Sequence, residues 1–333
     1  MVRYTDIKAS NTLINDSTAP RVAVFVGGTS GIGQLTIKAL VATGASSRIY
    51  LIGRKSSQDR AHVFINELQS ANPKAEVIWI EGEVSLLADA KRVCEVIKSR
   101  ESHVDLLFLT TGYAPFGPRE ETTEGIEITL SLGYFSRMVF VLQLLPLLRE
   151  AEAARVVSVL GGGLMERPTS IDLDDLAMEK PGSFGPIKSQ MLSATMNTAT
   201  LDKLAADNPG VTFIHSYPGW VDTGNARRGF EPNSWKAWLA WLFLEPLIRI
   251  FSFSDEESGQ RHLFMSTSAY YGGGGVPWTG KAGVNTFGKL VNGLFLVNYR
   301  NDCTLNAGVL SALRERATER IWKHTQDVLE PYL

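Results

Sequence analysis

A doubly wound α/β fold, a parallel sheet with helices on both faces, is predicted by three features of this 333-residue sequence. Apolar runs of strand length alternate with segments of helical period, the pattern of parallel strands joined by crossover helices. Several runs, 104–109 among them, are apolar at nearly every position, as strands buried on both faces are. The first run, Val22 to Val26, passes directly into Gly27-x-x-x-Gly31-Ile32-Gly33, and a periodic segment with Leu35, Ile37, Leu40 and Val41 follows. Strand, glycine turn and helix in that order predict a dinucleotide site. The glycines permit a tight turn and close approach of backbone to pyrophosphate, and the free N–H groups of the helix start, Ile32 included, face its charge.

In order, strands are expected at 22–26, 48–52, 76–80, 105–109, 155–160, 211–217 and 294–297. Helices are expected at about 32–43, 58–71, 85–100, 123–149 and 184–207, with an amphipathic tail helix over 308–329. Gly and Pro crowd 272–288, which reads as a long loop before the last strand. One domain spans 1–333, with 223–290 expected as an inserted lid over the active-site mouth.

Composition narrows the function. Apolar residues make up 44%, ample for a core, and charged residues 20%. The formal charge is −2 with no basic cluster, so nothing favours nucleic acid. Cys94 and Cys303 give neither metal spacing nor a disulfide framework, which suits a reducing compartment. No metal site is expected. The N-terminus is polar and mixed, without the layout of a signal peptide, and a cytoplasmic protein is expected. Segment 235–253 is strongly apolar and carries three tryptophans, yet Lys236, Glu245, Pro246 and Arg249 make it a poor membrane span. It is expected to cover a hydrophobic small-molecule substrate. Oligomeric state is left open, a homo-oligomer included.

With these motifs in place, the chain resembles the short-chain dehydrogenase/reductases, most securely over 20–223. It is most similar to a divergent fungal branch often serving secondary-metabolite pathways, through GEVSLLADAKRVCE, YPGWVDT, GQRHLFMST and IWKHT. The resemblance implies a Rossmann-like sheet, a nicotinamide cofactor and hydride transfer. Gly27, Gly31 and Gly33 match the family's turn, and Thr29 and Ser30 can bond phosphate. Arg54, after the second strand, stands where NAD-preferring members usually carry an acid. A cation there suits the 2′-phosphate of NADP. Glu83 takes the place of an Asp near the adenine. Thr110 and Gly112 follow the fourth strand in the family's cofactor segment, where the family's Asn-Asn-Ala-Gly reads Leu109-Thr110-Thr111-Gly112. Pro218, Gly219, Val221 and Thr223 match the loop that meets the nicotinamide amide and the diphosphate.

Departures from the family fall at the chemistry. The catalytic Tyr-x-x-x-Lys reads Phe184 to Lys188, the catalytic Ser position holds Gly161, and a helix Asn that supports a proton relay falls at Leu130. Lys188 is expected to hold the nicotinamide ribose. Phe184 cannot exchange a proton. Tyr113, Tyr134 and Tyr217 fall near family active-site segments, though each reads more simply as a wall residue with a satisfied hydroxyl. Ser158 and His215 read as core residues. The leading reading is an NADP-dependent oxidoreductase with an altered proton path. The alternatives are a non-redox cyclase, isomerase or dehydratase, and a catalytically silent cofactor-binding protein.

Overall fold

The computed structural model describes residues 2–219, Val221 and 252–333. Seven strands form one sheet: β1 (Val22–Val26), β2 (Ser47–Gly53), β3 (Ala75–Glu81), β4 (Leu106–Leu109), β5 (Arg155–Val159), β6 (Thr212–Ser216) and β7 (Leu294–Val297). The order is β3-β2-β1-β4-β5-β6-β7, and every neighbouring pair is parallel. All residues of β1, β4, β5, β6 and β7 are buried, so their side chains are apolar on both faces except where a polar one such as Arg155, Ser158 or His215 finds a hydrogen-bond partner. Val24 pairs with Tyr50 on one side and Leu107 on the other, so the chain reverses its winding at β1. The crevice above the carboxyl ends of β1 and β4 is therefore the topological switch point where such sheets bind ligands.

Helices cover the two faces. On one lie α1 (Tyr4–Asn11), α2 (Gly31–Val41) and α3 (Gln58–Ala71). On the other lie α4 (Leu87–Lys98), α5 (Ile128–Arg149) and α6 (Pro186–Asp207). Helix α7 (Asp255–Thr267) packs against α1 and α2, with Leu263, Phe264 and Met265 buried. Within the segment expected as a lid over 223–290, residues 255–267 form this helix of the layer over the sheet. Residues 222–251, and with them most of the tryptophan-rich segment, lie outside the described residues. Helix α1 was not legible in the sequence. It is short, and Ile7 is its one fully buried apolar anchor, with Asn11 donating to the Gln260 carbonyl at 2.9 Å.

Two short helices complete the tail, α8 (Ala307–Ala312) and α9 (Thr318–Leu329), and α9 packs on α6. Helix α5 is long and apolar enough to cross a membrane by length and composition. Within the protein 83% of its apolar window is buried, as a core helix requires. It widens into a π turn at Ser131–Phe135. Such turns release carbonyls from the regular ladder. Here the Leu132 carbonyl accepts Thr111 Oγ1 at 3.1 Å, and the Gly133 carbonyl accepts Asn197 Nδ2 at 2.8 Å.

Candidate cofactor and active site

A cavity of about 760 Å³ runs along the switch point, from the end of β2 to the ends of β4 and β5. Its centre is the glycine turn. Gly27 has φ +96°, and a side-chain carbon on Gly33 would come within 2.6 Å of the Gly27 carbonyl, so α2 must start against bare backbone. Thr110 Oγ1 donates to that carbonyl at 3.0 Å and ties the end of β4 to the turn. Thr29, Ser30, Gly31 and Ile32 line this stretch, while Gly33 stands behind it. A cradle that any Cβ would fill, next to helix N–H groups, fits a diphosphate.

At the β2 end the lining is cationic. Arg54 follows the strand, and Arg60 reaches the same end from the first turn of α3, with Ser57 between them. Glu83 is the one acid among the described residues lining the cavity. Its carboxylate accepts Ser85 Oγ at 2.8 Å and its backbone N–H is held by Asp89. The α3 contribution was missed in the sequence, where Arg60 reads as one charge on an exposed helix face.

The opposite end is built from Thr111, Gly112, Tyr113, Leu132, Arg137 and Gln190, with Leu160 and Pro218 beside them. Arg137 is 1% exposed. Its Nη1 donates to Ser158 Oγ at 2.7 Å and to the Val159 carbonyl at 3.0 Å. Its Nε donates to the Leu132 carbonyl at 3.2 Å, and Nη2 donates to the Thr111 carbonyl. Burial pushes this guanidinium down to about 9. Ser158 is buried as expected, and it also donates to Asn197 Oδ1 at 3.1 Å. A signal for Arg137 existed in the sequence: it is one cation ahead of Met138-Val139-Phe140-Val141, where charge is rarely buried without purpose.

His215 in β6 is also fully buried. Burial, and secondly the nearby charge of Arg137, push it down to about 3. Its Nδ1 bonds Thr198 Oγ1 at 2.8 Å, and Thr198 donates to the buried Glu166. His215 is thus a satisfied core residue. Burial holds the Glu166 carboxyl above its usual range.

Other expected site residues fall elsewhere. Lys188 is exposed on α6, donates to the Gly182 carbonyl, and does not line the cavity. The helical residue that does is Gln190, about 200° further round the helix. Phe184 packs against the core under α5 and α6 and is likewise absent from the lining. Gly219 has φ +74° and abuts Tyr299, Val221 packs against the core on the α2 side, and neither lines the cavity. Thr223 lies outside the described residues. Of the three tyrosines only Tyr113 lines the cavity. Burial, then the charges of Glu127 and Glu120, hold its phenol above the usual range. Tyr134 points into the core, bonded to Thr200 at 2.6 Å and to Thr325, and Tyr217 is half-buried without lining the cavity.

Lys188→Ala is therefore expected to change NADPH affinity less than about twofold, the range of an ordinary surface substitution. Isothermal calorimetry checks it. A tenfold loss would restore the ribose contact that the sequence suggested.

Comparison with known proteins agrees with the fold and the turn. Residues 21–167 match the model of the short chain dehydrogenase family. An oxidoreductase of Emericella nidulans is 35% identical over 99% of this chain and 98% of its own length. A short-chain dehydrogenase/reductase of Stachybotrys chartarum is 31% identical over 75% of this chain and 73% of its own. This chain belongs to the short-chain dehydrogenase/reductase family. Within it, the chain is related to fungal oxidoreductases, a second of which, from Emericella variicolor, is 33% identical over 98% of this chain and 96% of its own. Among solved structures, an NADPH-bound carbonyl reductase from chicken fatty liver shares the fold with a TM-score of 0.53. It is 16% identical, over 86% of this chain and 99% of that one.

Proposed function

We propose that the protein is an NADP-dependent oxidoreductase that acts on a hydrophobic small molecule in fungal secondary-metabolite biosynthesis. The observation that carries the cofactor preference is the cationic end of the cavity, where Arg54 and Arg60 flank Ser57 with no acid at the end of β2. A 2′-phosphate at that end gains charge-assisted hydrogen bonds, and a bare ribose hydroxyl does not. With the diphosphate at the glycine turn, the nicotinamide would reach the end lined by Tyr113, Leu132 and Gln190 and supply or accept a hydride there.

The proton path differs from the family's. Tyr113 is the proton donor in this reading. Its phenol is protonated at neutral pH, as a tyrosine ordinarily is, and its ring forms part of the wall at the reacting end. A second, non-redox reading is favoured by one observation: neither Phe184 nor Gly161 lines the cavity. Titration with NADPH and NADH in the calorimeter tests the cofactor assignment. NADPH is expected to bind at least about tenfold more tightly, the value of one charge-assisted bond, and equal affinities would sink it. Loss of 340 nm absorbance with a pathway metabolite separates the redox reading from the non-redox one.

Phe184→Tyr is expected to leave turnover unchanged within about twofold, because the new hydroxyl enters the core margin and not the cavity. Adding Gly161→Ser does not rescue it. A side-chain carbon at 161 would meet the Met165 Cβ at 3.0 Å and the Ala194 Cβ at 3.1 Å. A rate increase approaching the 10²–10⁴-fold of a positioned acid would show that Phe184 stands at the reacting centre after all.

A further inference from the structure

Arg137 is an expensive residue for its position. It lies on α5 ahead of Met138, Val139, Phe140 and Val141, all fully buried, and removing such a charge from water costs several kcal/mol unless it is paired. Every acceptor it finds is neutral: the carbonyls of Thr111, Leu132 and Val159 and the hydroxyl of Ser158. No carboxylate bonds it among the described residues. A guanidinium has five N–H donors. Four are used here, and the second hydrogen of Nη2 has no protein acceptor among the described residues. The same Nη2 lies beside Gly112, where a side-chain carbon would stand 3.8 Å from it. No side chain at 112 stands between this Nη2 and the cavity that both residues line, although the guanidinium as a whole is almost fully buried.

The contrast with Arg155 is informative. That guanidinium is equally buried, but it holds the carbonyls of Met265, Ser268, Gly272 and Gly274 at the end of α7 and does not line the cavity. Its bonds account for its presence. Those of Arg137 leave one donor over, at the reacting end of a cavity whose other walls there are apolar or uncharged.

We propose that Arg137 binds an anionic oxygen of the organic ligand, and that the substrate is accordingly an acidic enol or phenol, or a conjugated carbonyl whose oxygen carries the charge. This deepens the oxidoreductase reading and rests on it only for the statement that the ligand reacts. The neutral acceptors fix the guanidinium plane without cancelling its charge. One remaining N–H suits a single oxygen and not a bidentate carboxylate. The site thus selects for charge on oxygen, which is the function the missing phenol and serine hydroxyls of the family would otherwise assist.

The test uses 4-nitrophenol, whose ionisation is visible near 400 nm, with 4-nitroanisole as the neutral control. A cation beside a bound phenol favours the phenolate, and an apolar pocket without one disfavours it. The bound probe in the unmodified protein is therefore expected to ionise about one pH unit below free 4-nitrophenol. In Arg137→Gln it is expected to ionise above the free value, and Arg137→Lys is expected to keep a reduced downward shift. Thermal melts and NADP+ titration of each variant establish that fold and cofactor end are intact. No binding of the probe, an upward shift in the unmodified protein, or the same downward shift in Arg137→Gln overturns the proposal. Loss of NADP+ binding with the probe shift retained would instead sink the cofactor reading and leave this one standing.

Discussion

Replacing Arg54 and Arg60 together by alanine is expected to lower NADPH affinity about a hundredfold and to leave NADH affinity within about twofold. Both guanidiniums meet the cavity at the β2 end, and both are exposed, so each charge-assisted bond to the 2′-phosphate is taken at the lower end of its range, roughly tenfold. The single variants are each expected to lose about tenfold. The effect is screened, so raising salt from 0.05 to 0.5 M narrows the gap between the two cofactors in the unmodified protein and not in the double variant. Fluorescence titration of both cofactors across that series reads all four quantities. Parallel losses for NADPH and NADH would mean that the arginines hold the shared diphosphate, and the preference would then need another source.

The second large effect concerns acid. Burial lowers His215 to about 3 and His262 to about 4, so both are neutral in the native protein at every pH above those values. In the unfolded chain a histidine titrates near 6.5. Below that pH the unfolded state binds protons that the native state refuses, and stability falls as pH falls. The slope is about 1.4 kcal/mol per pH unit for each histidine. Stability from this source is complete above pH 6.5 and drains until pH 4 for His262 and pH 3 for His215. Glu166 acts in the opposite sense, because its raised pKa favours the native state in acid and offsets part of the loss. Urea midpoints are expected to be level from pH 8 to 7 and to drop steeply below 6. His215→Gln, which can keep a bond to Thr198, is expected to give a shallower acid limb. A flat midpoint down to pH 5 would defeat the assignment.

The sheet was legible because β1, β4 and β7 are unbroken apolar runs buried on both faces and the other strands keep an apolar stretch at their centre. β1 and β7 are placed to the residue, and β5 and β6 to within a residue at each end. The glycine turn was legible for a local reason, since the backbone geometry of one short segment decides it. The reacting end was not. Lys188 was placed by a spacing of four from Phe184, but what reaches a cavity depends on which face of α6 turns inward, and packing against α5 turns Gln190 there instead. Arg137 follows the π turn of α5, so the helical period counted from the first part of that helix does not say which wall it faces, although its place ahead of an apolar run marks it as buried. The 255–267 helix was hidden by its polar character. Its first turn, Asp255-Glu256-Glu257, reads as loop or lid until the cap by Ser254 on the Glu257 N–H is seen.

The bond between Tyr134 and Thr325 joins residues 191 positions apart. At ribosomal rates of about 5–20 residues per second, roughly 10–40 s pass between the making of α5 and of the helix that covers its tyrosine. During that interval one of the most apolar segments of the chain is covered on that side only by α6, whose Thr200 follows 66 residues after Tyr134, about a third of the way through. Vectorial synthesis therefore creates a window of vulnerability that the finished molecule does not reveal. Heterologous yield is therefore expected to respond to elongation speed more than to the thermal stability of the purified protein.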